Sequence, residues 1–544
     1  MTTTRHIVIL TLVTLVASLL LSLHFFASPL RPWPDQGWML QAAQRHAAGL
    51  GLTTVMDNRS LDITAPSWLR LTYFPPLYPL VVSALLRLGL DVEAAVKVVN
   101  AVAMIAGILG WVTLALRVIR GRAWLWLFAL LLVVTGTATV PRGGTADYLY
   151  WAIMPWWTLA LLAARSRLAD RDRGNTLSRS LVVAALLVGV AIAIRWAAVV
   201  LVPAGVLVLI VPPRAKWPGV RRLACGALYA VPGVATYFGI TAFNRWLGGA
   251  ESLLTFVQEG WRFQHLATSY PLRSLVTVPL AVQPIAERVW RLADAELAST
   301  ALSILIQVVL PLAVLALFGY LAATKRERLV EVVPSRDFVI LAGATLVVWV
   351  GFLAFMAVRY NWDHVNWTYL EEPRYFRPII PLAALLWLAI LERCVASRLA
   401  RGVAIGVMVV GSLYLVQAGA RWQARWLTES DESWEAVEEI IDVQRRPGIH
   451  VVVDQDVSDY IIRGGPDLVA TWYWDPEKLD RMTVGRPADL WVVWRTKERS
   501  AYFMDPEHDI RRFEAARKRF GIEKAWTSSG GAFEIWHAKL EPGE

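Results

Sequence analysis

The chain has 544 residues, is 56% hydrophobic and carries only 18% charged residues, where a soluble enzyme of this size holds about 25%. Its mean hydropathy is +0.45, and its apolar residues are gathered into runs of about 15–23, long enough to span a hydrocarbon core. These values exclude an ordinary soluble enzyme and give a polytopic α-helical membrane protein. The formal net charge of +10 does not mark a nucleic-acid binder. The basic residues sit in short loops between apolar runs, where charge bias sets orientation, and no aromatic-basic nucleic-acid module accompanies them. Many of the 27 tryptophans lie near the ends of runs, where indole rings favour the interface. The two cysteines, Cys225 and Cys394, are far apart and outside any metal-ligand spacing, so neither a disulfide nor a cysteine-zinc site is expected.

The first apolar run, 6–27, exceeds the usual apolar core of a signal peptide and is followed by Pro29 and Pro32, which makes it an uncleaved anchor. A polar segment, 28–73, comes next. It opens with Pro32-Trp33-Pro34-Asp35-Gln36-Gly37-Trp38 and runs into Thr72-Tyr73-Phe74-Pro75-Pro76. Asp35 lies about eight residues past the end of a run that can cross a bilayer, which sets a carboxylate within reach of a lipid headgroup. The bland alternative is that Asp35 is the N-cap of a helix over Trp38–Ala48. Run 74–90 starts with Pro75-Pro76 and carries Pro79 and Arg87, so it reads as a re-entrant or interfacial helix.

Further apolar runs lie at 97–117, 123–140, 147–164, 180–194, 197–211, 223–243, 300–322, 337–358, 377–392 and 402–419. Five basic loops separate them. They contain Arg117, Arg120 and Arg122; Arg165, Arg167, Arg171, Arg173 and Arg179; Arg214, Lys216, Arg221 and Arg222; Lys325, Arg326, Arg328 and Arg336; and Arg393, Arg398 and Arg401. Placing all five on the cytoplasmic side gives about eleven crossings, with the N-terminus inside, the C-terminus outside and run 74–90 not crossing. The outer face then collects segment 28–73, Pro141-Arg142-Gly143-Gly144-Thr145-Ala146-Asp147-Tyr148, segment 245–298 read as amphipathic surface helices, the tight turn at Arg195-Trp196, and segment 359–376. After Gln417 the composition becomes charged and mixed. A helical period over 434–444, strands at 449–454 and 490–494, a helix over 507–520 and strand-like alternation over 530–540 give a small external α/β domain. The chain thus divides into a transmembrane part, 1–420, and an external part, 421–544.

No Asp, Glu, Lys or Arg lies inside the apolar cores of the crossing runs; they cluster at the ends. Ion-coupled transporters and pumps place ionisable groups near the bilayer midplane, so the pattern favours chemistry at the membrane surface on a lipid-borne substrate. A phosphate leaving group requires positive charge or hydrogen-bond donors where charge develops, and the planar fork of arginine binds phosphate in two places. Arg70, Arg142, Arg195, Arg374 and Arg377 map to the outer edge. An acceptor hydroxyl or amine requires a base within hydrogen-bond reach. Asp35 and Asp147 are the outer acids nearest the ends of runs, followed by Glu371 and Glu372. Each has a structural alternative: Asp147 as a helix cap, Arg195 as an interfacial anchor, and Arg374 and Arg377 as surface partners of Glu371 and Glu372. His364 beside Asp363 is a weak metal pattern, and no metal ligand is assigned.

The order of these features resembles the GT-C glycosyltransferases. One membrane run, a long outer loop with an early Asp, and Tyr73-Phe74-Pro75-Pro76-Leu77-Tyr78-Pro79-Leu80 leading into a short helix are similar to the protein O-mannosyltransferase and aminoarabinose transferase group, glycosyltransferase family 39. The Pro141–Tyr148 segment is similar to the second acidic loop of the oligosaccharyltransferase catalytic subunit. Glu372-Pro373-Arg374-Tyr375-Phe376-Arg377-Pro378 resembles the Arg-Tyr segment before a late helix of family 39. The resemblance covers roughly residues 1–420. It implies transfer of a sugar, with inversion, from a polyprenyl-phosphate carrier to a glycan, lipid or protein acceptor at the outer face; the external part has no disulfide pair and no retention signal is seen, which favours a bacterial inner membrane. The family's first-loop Asp falls on Asp35, as the base or the holder of the acceptor. Together with the outer acids and arginines above, the expected site is Asp35 and Asp147 as catalytic residues, with Arg70, Tyr73, Arg142, Arg195, Glu372, Arg374, Tyr375 and Arg377 as substrate contacts. The resemblance leaves open a divalent cation as cofactor. The chain departs from the group at two positions: Gln36 stands where the mannosyltransferases carry a second acid, and Phe74 precedes the paired prolines where the aminoarabinose transferases carry a lysine. The rival readings are a polymerase or ligase consuming lipid-linked sugar, a lipid-linked sugar flippase, and a non-catalytic scaffold.

Overall fold

The structure is a computed structural model. It describes residues 2–27, 30, 34–54, 62, 69–72, 74–137, 146–169, 178–211, 219–246, 273–282, 285, 309–325, 327, 333–359, 376–444, 449–453, 470–473, 483–496 and 506–541. Helix α1 spans Thr2–Leu21 and is followed by the short α2, Leu23–Ala27. Along it Leu10, Thr14 and Ser18 are buried, while Leu12, Val13, Val16, Leu19 and Leu20 are exposed. A helix that turns its small and polar face inward and its leucines outward is arranged for lipid, where apolar side chains gain nothing by hiding from their surroundings. Among the described residues four helices have segments long and apolar enough to cross a membrane. They are α5 (Val92–Val118), α10 (Gly219–Trp246), α12 (Val333–Arg359) and the first part of α14 (Arg398–Gln444). The remaining apolar helices include α6 (Arg122–Leu132), α7 (Ala146–Ala169), α8 (Arg179–Ile194), α9 (Leu201–Ile210), α11 (Leu310–Thr324) and α13 (Ile380–Cys394).

The first polar segment folds as a helical hairpin. Helix α3 (Pro34–Ala47) packs on α4 (Leu77–Arg87), while β1 (Thr53–Thr54) and β2 (Leu69–Arg70) pair antiparallel beside it. His46 Nδ1 lies 2.8 Å from Ser83 Oγ, and Arg87 Nη2 donates to the His46 carbonyl at 2.8 Å. The sequence suggests a helix from Trp38 with Asp35 as its N-cap. Instead α3 starts at Pro34, because the fixed φ of proline suits the first helical position, and Asp35 is its second residue. Helix α4 has 11 residues, about 16 Å of rise against a hydrocarbon core of about 30 Å.

Glycines set the closest helix contacts. A Cβ on Gly107 would fall 2.1 Å from the Trp151 ring, and one on Gly110 would fall 2.6 Å from Pro155 Cγ. The Trp156 indole donates to the Ala106 carbonyl at 3.0 Å. The Gly107–Trp151 and Gly110–Pro155 contacts rise together in number, so α5 and α7 run parallel, held by small residues where no water-driven force is available.

One end of the bundle gathers the basic loops. Glu392 accepts from the backbone N–H groups of Arg120 and Gly121 at the start of α6, and Arg393 donates to the Val118 carbonyl at 2.6 Å. His6 meets Trp126 edge to face at 5.9 Å at the same end. Arg165 forms an ion pair with Asp337 at 2.8 Å and donates to the Val208 and Val211 carbonyls, while Arg222 donates to the Ile210 carbonyl at 3.0 Å.

Two findings depart from the sequence pattern. Segment 245–298 reads as surface helices, yet Val276, Leu280 and Ala281 are buried. The Leu275 carbonyl accepts from the Trp387 indole half-way along α13, and the Ala281 carbonyl lies where a Cβ on Gly411 of α14 would sit. The reason is the mainly apolar stretch 275–282, too short to register as a span but apolar enough to fill the interior. The second finding is α14, a continuous helix of 47 residues that passes position 420 without a break.

The end of α14 forms one layer of an α/β unit. Its sheet has the order β4 (Ala470–Tyr473), β3 (Ile449–Val453), β5 (Ala488–Arg495), β7 (Phe533–Leu540), β6 (Glu523–Thr527). The pairs involving β3 are parallel and those involving β7 antiparallel. Alternate residues face opposite ways. Leu490, Val492, Ala538 and Leu540 pack with Phe513, Ala516 and Phe520 of α15 (Pro506–Phe520). Val493, Phe533 and Ile535 pack with Ala436, Val437 and Ile440 of α14. Glu435 fixes the β6–β7 turn by accepting from Ser529 N at 3.0 Å and Ser529 Oγ at 2.9 Å. This unit also touches the first polar segment: Asp62 bridges to Thr483, and its carboxylate accepts from Gly485 N at 3.1 Å.

Candidate active site

Helices α7 and α8 are antiparallel neighbours, so the start of one meets the end of the other. There Asp147 Oδ1 and Arg195 Nε form an ion pair at 2.8 Å, with the two side chains 7% and 11% exposed. Arg195 is the single extended residue between α8 and a 3-10 turn, Trp196–Val200. Its N–H donates to the Ala191 carbonyl at 2.8 Å, and its own carbonyl accepts from Ala198 N at 3.0 Å. The backbone is therefore pinned on both sides of the charge. A carboxylate in the first turn of α7 and a guanidinium at the end of α8 also suit both helix dipoles. Trp196 packs edge-on against Tyr237 of α10 at 5.6 Å.

Tyr148 is buried next to the pair, stacked on Trp151 with ring centroids 5.2 Å apart. The charge of Arg377 acts on its hydroxyl. Arg377 stands in the turn before α13, closed by Ile379 N donating to the Phe376 carbonyl at 3.0 Å and flanked by buried Phe376 and Ile379. The first segment is tied to the same end. Asn244, near the end of α10, donates to the Thr72 carbonyl at 3.1 Å, and the Phe74 and Trp38 rings lie 6.4 Å apart.

Of the residues singled out by sequence, Asp147, Arg195 and Arg377 come to one end of the bundle. Arg70 is exposed on β2 opposite Thr53. The Asp35 side chain and residues Tyr73, Arg142, Glu372, Arg374 and Tyr375 lie outside the described residues. Asp147 and Arg195, expected to act on substrate separately, hold each other. The sequence pattern missed Tyr148, for which the stacking partner three residues on, Trp151, was the available signal. It also missed the Arg165–Asp337 pair, whose members are separated by 172 positions. Asp147 and Arg165 stand 18 residues apart on α7, about 27 Å along its axis, close to the thickness of a hydrocarbon core of about 30 Å. Charged groups thus bracket an apolar span.

No protein-family model matches the chain, and no curated protein matches it. Solved structures do. The crystal structure of ArnT from Cupriavidus metallidurans in the apo state is similar with a TM-score of 0.53 and 14% identity, over 99% of this chain and 98% of that one. The crystal structure of ArnT from the same organism bound to undecaprenyl phosphate is similar with a TM-score of 0.53 and 13% identity, over 97% of each chain. ArnT is an aminoarabinose transferase of the GT-C class. The chain has an ArnT-like GT-C fold, and the likeness extends through residues 421–544, beyond the part that resembles the class by sequence.

Proposed function

Starting from that fold, we propose that the chain is an inverting glycosyltransferase of a bacterial inner membrane, moving a sugar from a polyprenyl-phosphate carrier to an acceptor. The observation that carries this reading is the end-to-end likeness to a transferase also crystallised with undecaprenyl phosphate. The Asp147–Arg195 end is assigned to the periplasmic side, because Arg120, Arg165, Arg222 and Arg393 lie at the other end and short cytoplasmic loops collect Lys and Arg.

In the reaction an acceptor hydroxyl or amine attacks the anomeric carbon from the face opposite the phosphate. The carbon–oxygen bond to phosphate breaks, its electron pair leaves with the polyprenyl phosphate, and the acceptor proton passes to a base. Asp35 is assigned as that base. Negative charge grows on the departing phosphate, and donors aimed at it lower the barrier. Arg377 supplies such charge from the turn before α13, with Arg70, Tyr73, Arg142, Arg374 and Tyr375 assigned from the outer segments and Glu372 to the sugar. Asp147 fixes the orientation of Arg195 at the rim of this site.

The test is a purified full-length protein given a synthetic polyprenyl-phosphate sugar. Release of polyprenyl phosphate with a glycosylated acceptor supports the reading. Asp35→Asn is expected to lose at least about 100-fold in turnover, the low end of general-base contributions. Wild-type turnover by that variant removes Asp35 as base. Movement of labelled lipid across a vesicle without bond cleavage replaces the transferase by a flippase.

A further inference from the structure

Polar atoms buried in a protein find partners with few exceptions, and a cluster of exceptions calls for a cause. Helix α7 has such a cluster at one end only. Tyr148 Oη, Tyr150 Oη and Trp151 Nε1 are buried and, among the described residues, have no hydrogen-bond partner. Their side chains are 5%, 1% and 2% exposed. Farther along the same helix the indole and hydroxyl donors are paired: Trp156 Nε1 donates to the Ala106 carbonyl, Trp157 Nε1 to Tyr229 Oη at 2.9 Å, and Thr158 Oγ1 to the Met154 carbonyl at 2.9 Å. At the far end only Arg165 Nη2, whose guanidinium is held by Asp337, is without a partner among the described residues. The three unsatisfied aromatic donors therefore lie clustered within the first turns of α7, beside the Asp147–Arg195 pair.

Of the three, Tyr148 is the one whose hydroxyl stands under the charge of Arg377. Its ring is locked by stacking on Trp151 at 5.2 Å and 11°, so the hydroxyl is aimed rather than free to swing to water. A neutral O–H donor within the field of a guanidinium, near a helix N-terminus, matches an anion that carries several acceptor oxygens. We infer that the Tyr148 hydroxyl donates a hydrogen bond to the phosphate of the lipid-linked donor, working with Arg377 as a two-point grip on that group. The inference rests on the glycosyltransferase reading and adds to it a binding residue that touches the phosphate but takes no proton from the acceptor.

Tyr148→Phe removes one oxygen and keeps the stacked ring. The experiment titrates detergent-purified full-length protein with undecaprenyl phosphate and, separately, with undecaprenol, and records the melting temperature of the ligand-free protein. Wild type is expected to bind the phosphate and not the alcohol. Tyr148→Phe is expected to bind the phosphate about tenfold or more weakly, with an unchanged or higher ligand-free melting temperature, because an unsatisfied buried hydroxyl has been deleted. Arg377→Gln is expected to weaken phosphate binding and to reduce its salt dependence. Wild-type affinity in Tyr148→Phe overturns the inference. So does a ligand-free melting temperature that falls by several degrees, which makes the hydroxyl structural, and so does equal binding of phosphate and alcohol. Failure of wild type to bind either lipid is a different result, because it removes the transferase reading itself.

Discussion

Removing one half of the Asp147–Arg195 pair leaves the other charge buried. With side chains 7% and 11% exposed, bulk water is not close at hand, and losing one member of a buried pair costs about 3–5 kcal/mol. The pair sits at a helix end rather than deep in the bundle, so the low end applies, about 3 kcal/mol for Asp147→Ala. Arg195→Met keeps the apolar stem and is expected to cost about 2 kcal/mol, because the uncompensated group is then a carboxylate in the first turn of α7, where the helix dipole favours it. The double variant leaves no stranded charge, so it should be more stable than the sum of the two changes implies, with a coupling of about 2 kcal/mol. Denaturant titration of all four proteins in detergent closes the cycle. A coupling below about 0.5 kcal/mol, the level at which independent sites add, refutes the pairing. Turnover measured on the same four proteins separates scaffold from chemistry. Stability and activity return together in the double variant if the pair is a brace, whereas stability returns without activity if either group acts on substrate.

Three further outcomes are expected. Gly205→Val places a Cβ 2.2–2.3 Å from the ring and hydroxyl of Tyr229, whose hydroxyl joins Trp157 to the Leu201 carbonyl. Overpacking alone costs about 1–3 kcal/mol, so the yield of folded protein in gel filtration falls sharply, while Gly239→Ala, with nothing within 4 Å of the new Cβ, leaves it unchanged. His46 titrates below the ordinary histidine range, because burial and then the Arg87 charge oppose its protonated form. The unfolded chain takes up that proton near pH 6.5 and the folded chain does so at lower pH. The melting temperature therefore falls as pH drops below about 6.5, and His46→Gln flattens that part of the profile; an identical slope in the variant argues against the assignment. Asp62→Ala deletes the acceptor for Gly485 N, and faster hydrogen exchange at 484–486 is expected with less than about 1.5 kcal/mol of global destabilisation; unchanged exchange shows that the contact holds nothing.

The spans were legible because a bilayer imposes a length on apolar runs, and α5, α8 and α12 follow runs 97–117, 180–194 and 337–358 within a few residues. The basic loops were legible as one set, and Arg120, Arg165, Arg222 and Arg393 do lie at one end of the bundle. Pairings were not legible. Nothing in the order of residues says that Asp147 closes on Arg195 rather than on a ligand, or that Arg165 finds Asp337 across 172 positions, because those choices are made by helix packing. The burial of 275–282 was hidden by length, as six apolar residues interrupted by Thr277 and Pro279 fit neither a span nor a surface helix. The course of α14 was hidden by composition. Thr428-Glu429-Ser430-Asp431-Glu432-Ser433 looks like a linker, but the sheet captures Ala436, Val437 and Ile440, and a helix anchored at both ends carries the polar stretch between them.

That continuity makes α14 a keyed shaft. Its 47 residues span about 70 Å, and each added residue turns everything beyond it by about 100° while lifting it about 1.5 Å. The α/β unit is clamped to this shaft by Glu435 and Ser529, so its azimuth is written in residue count. One alanine inserted near position 425 would swing the Gly485 N–H well away from Asp62 with almost no change in height. Seven would restore the angle to within about 20° yet raise the unit by about 10 Å. A flexible tether would tolerate either insertion. Here angle and height are separate settings, and activity plotted against insertion length would show whether the outer site reads one, the other or both.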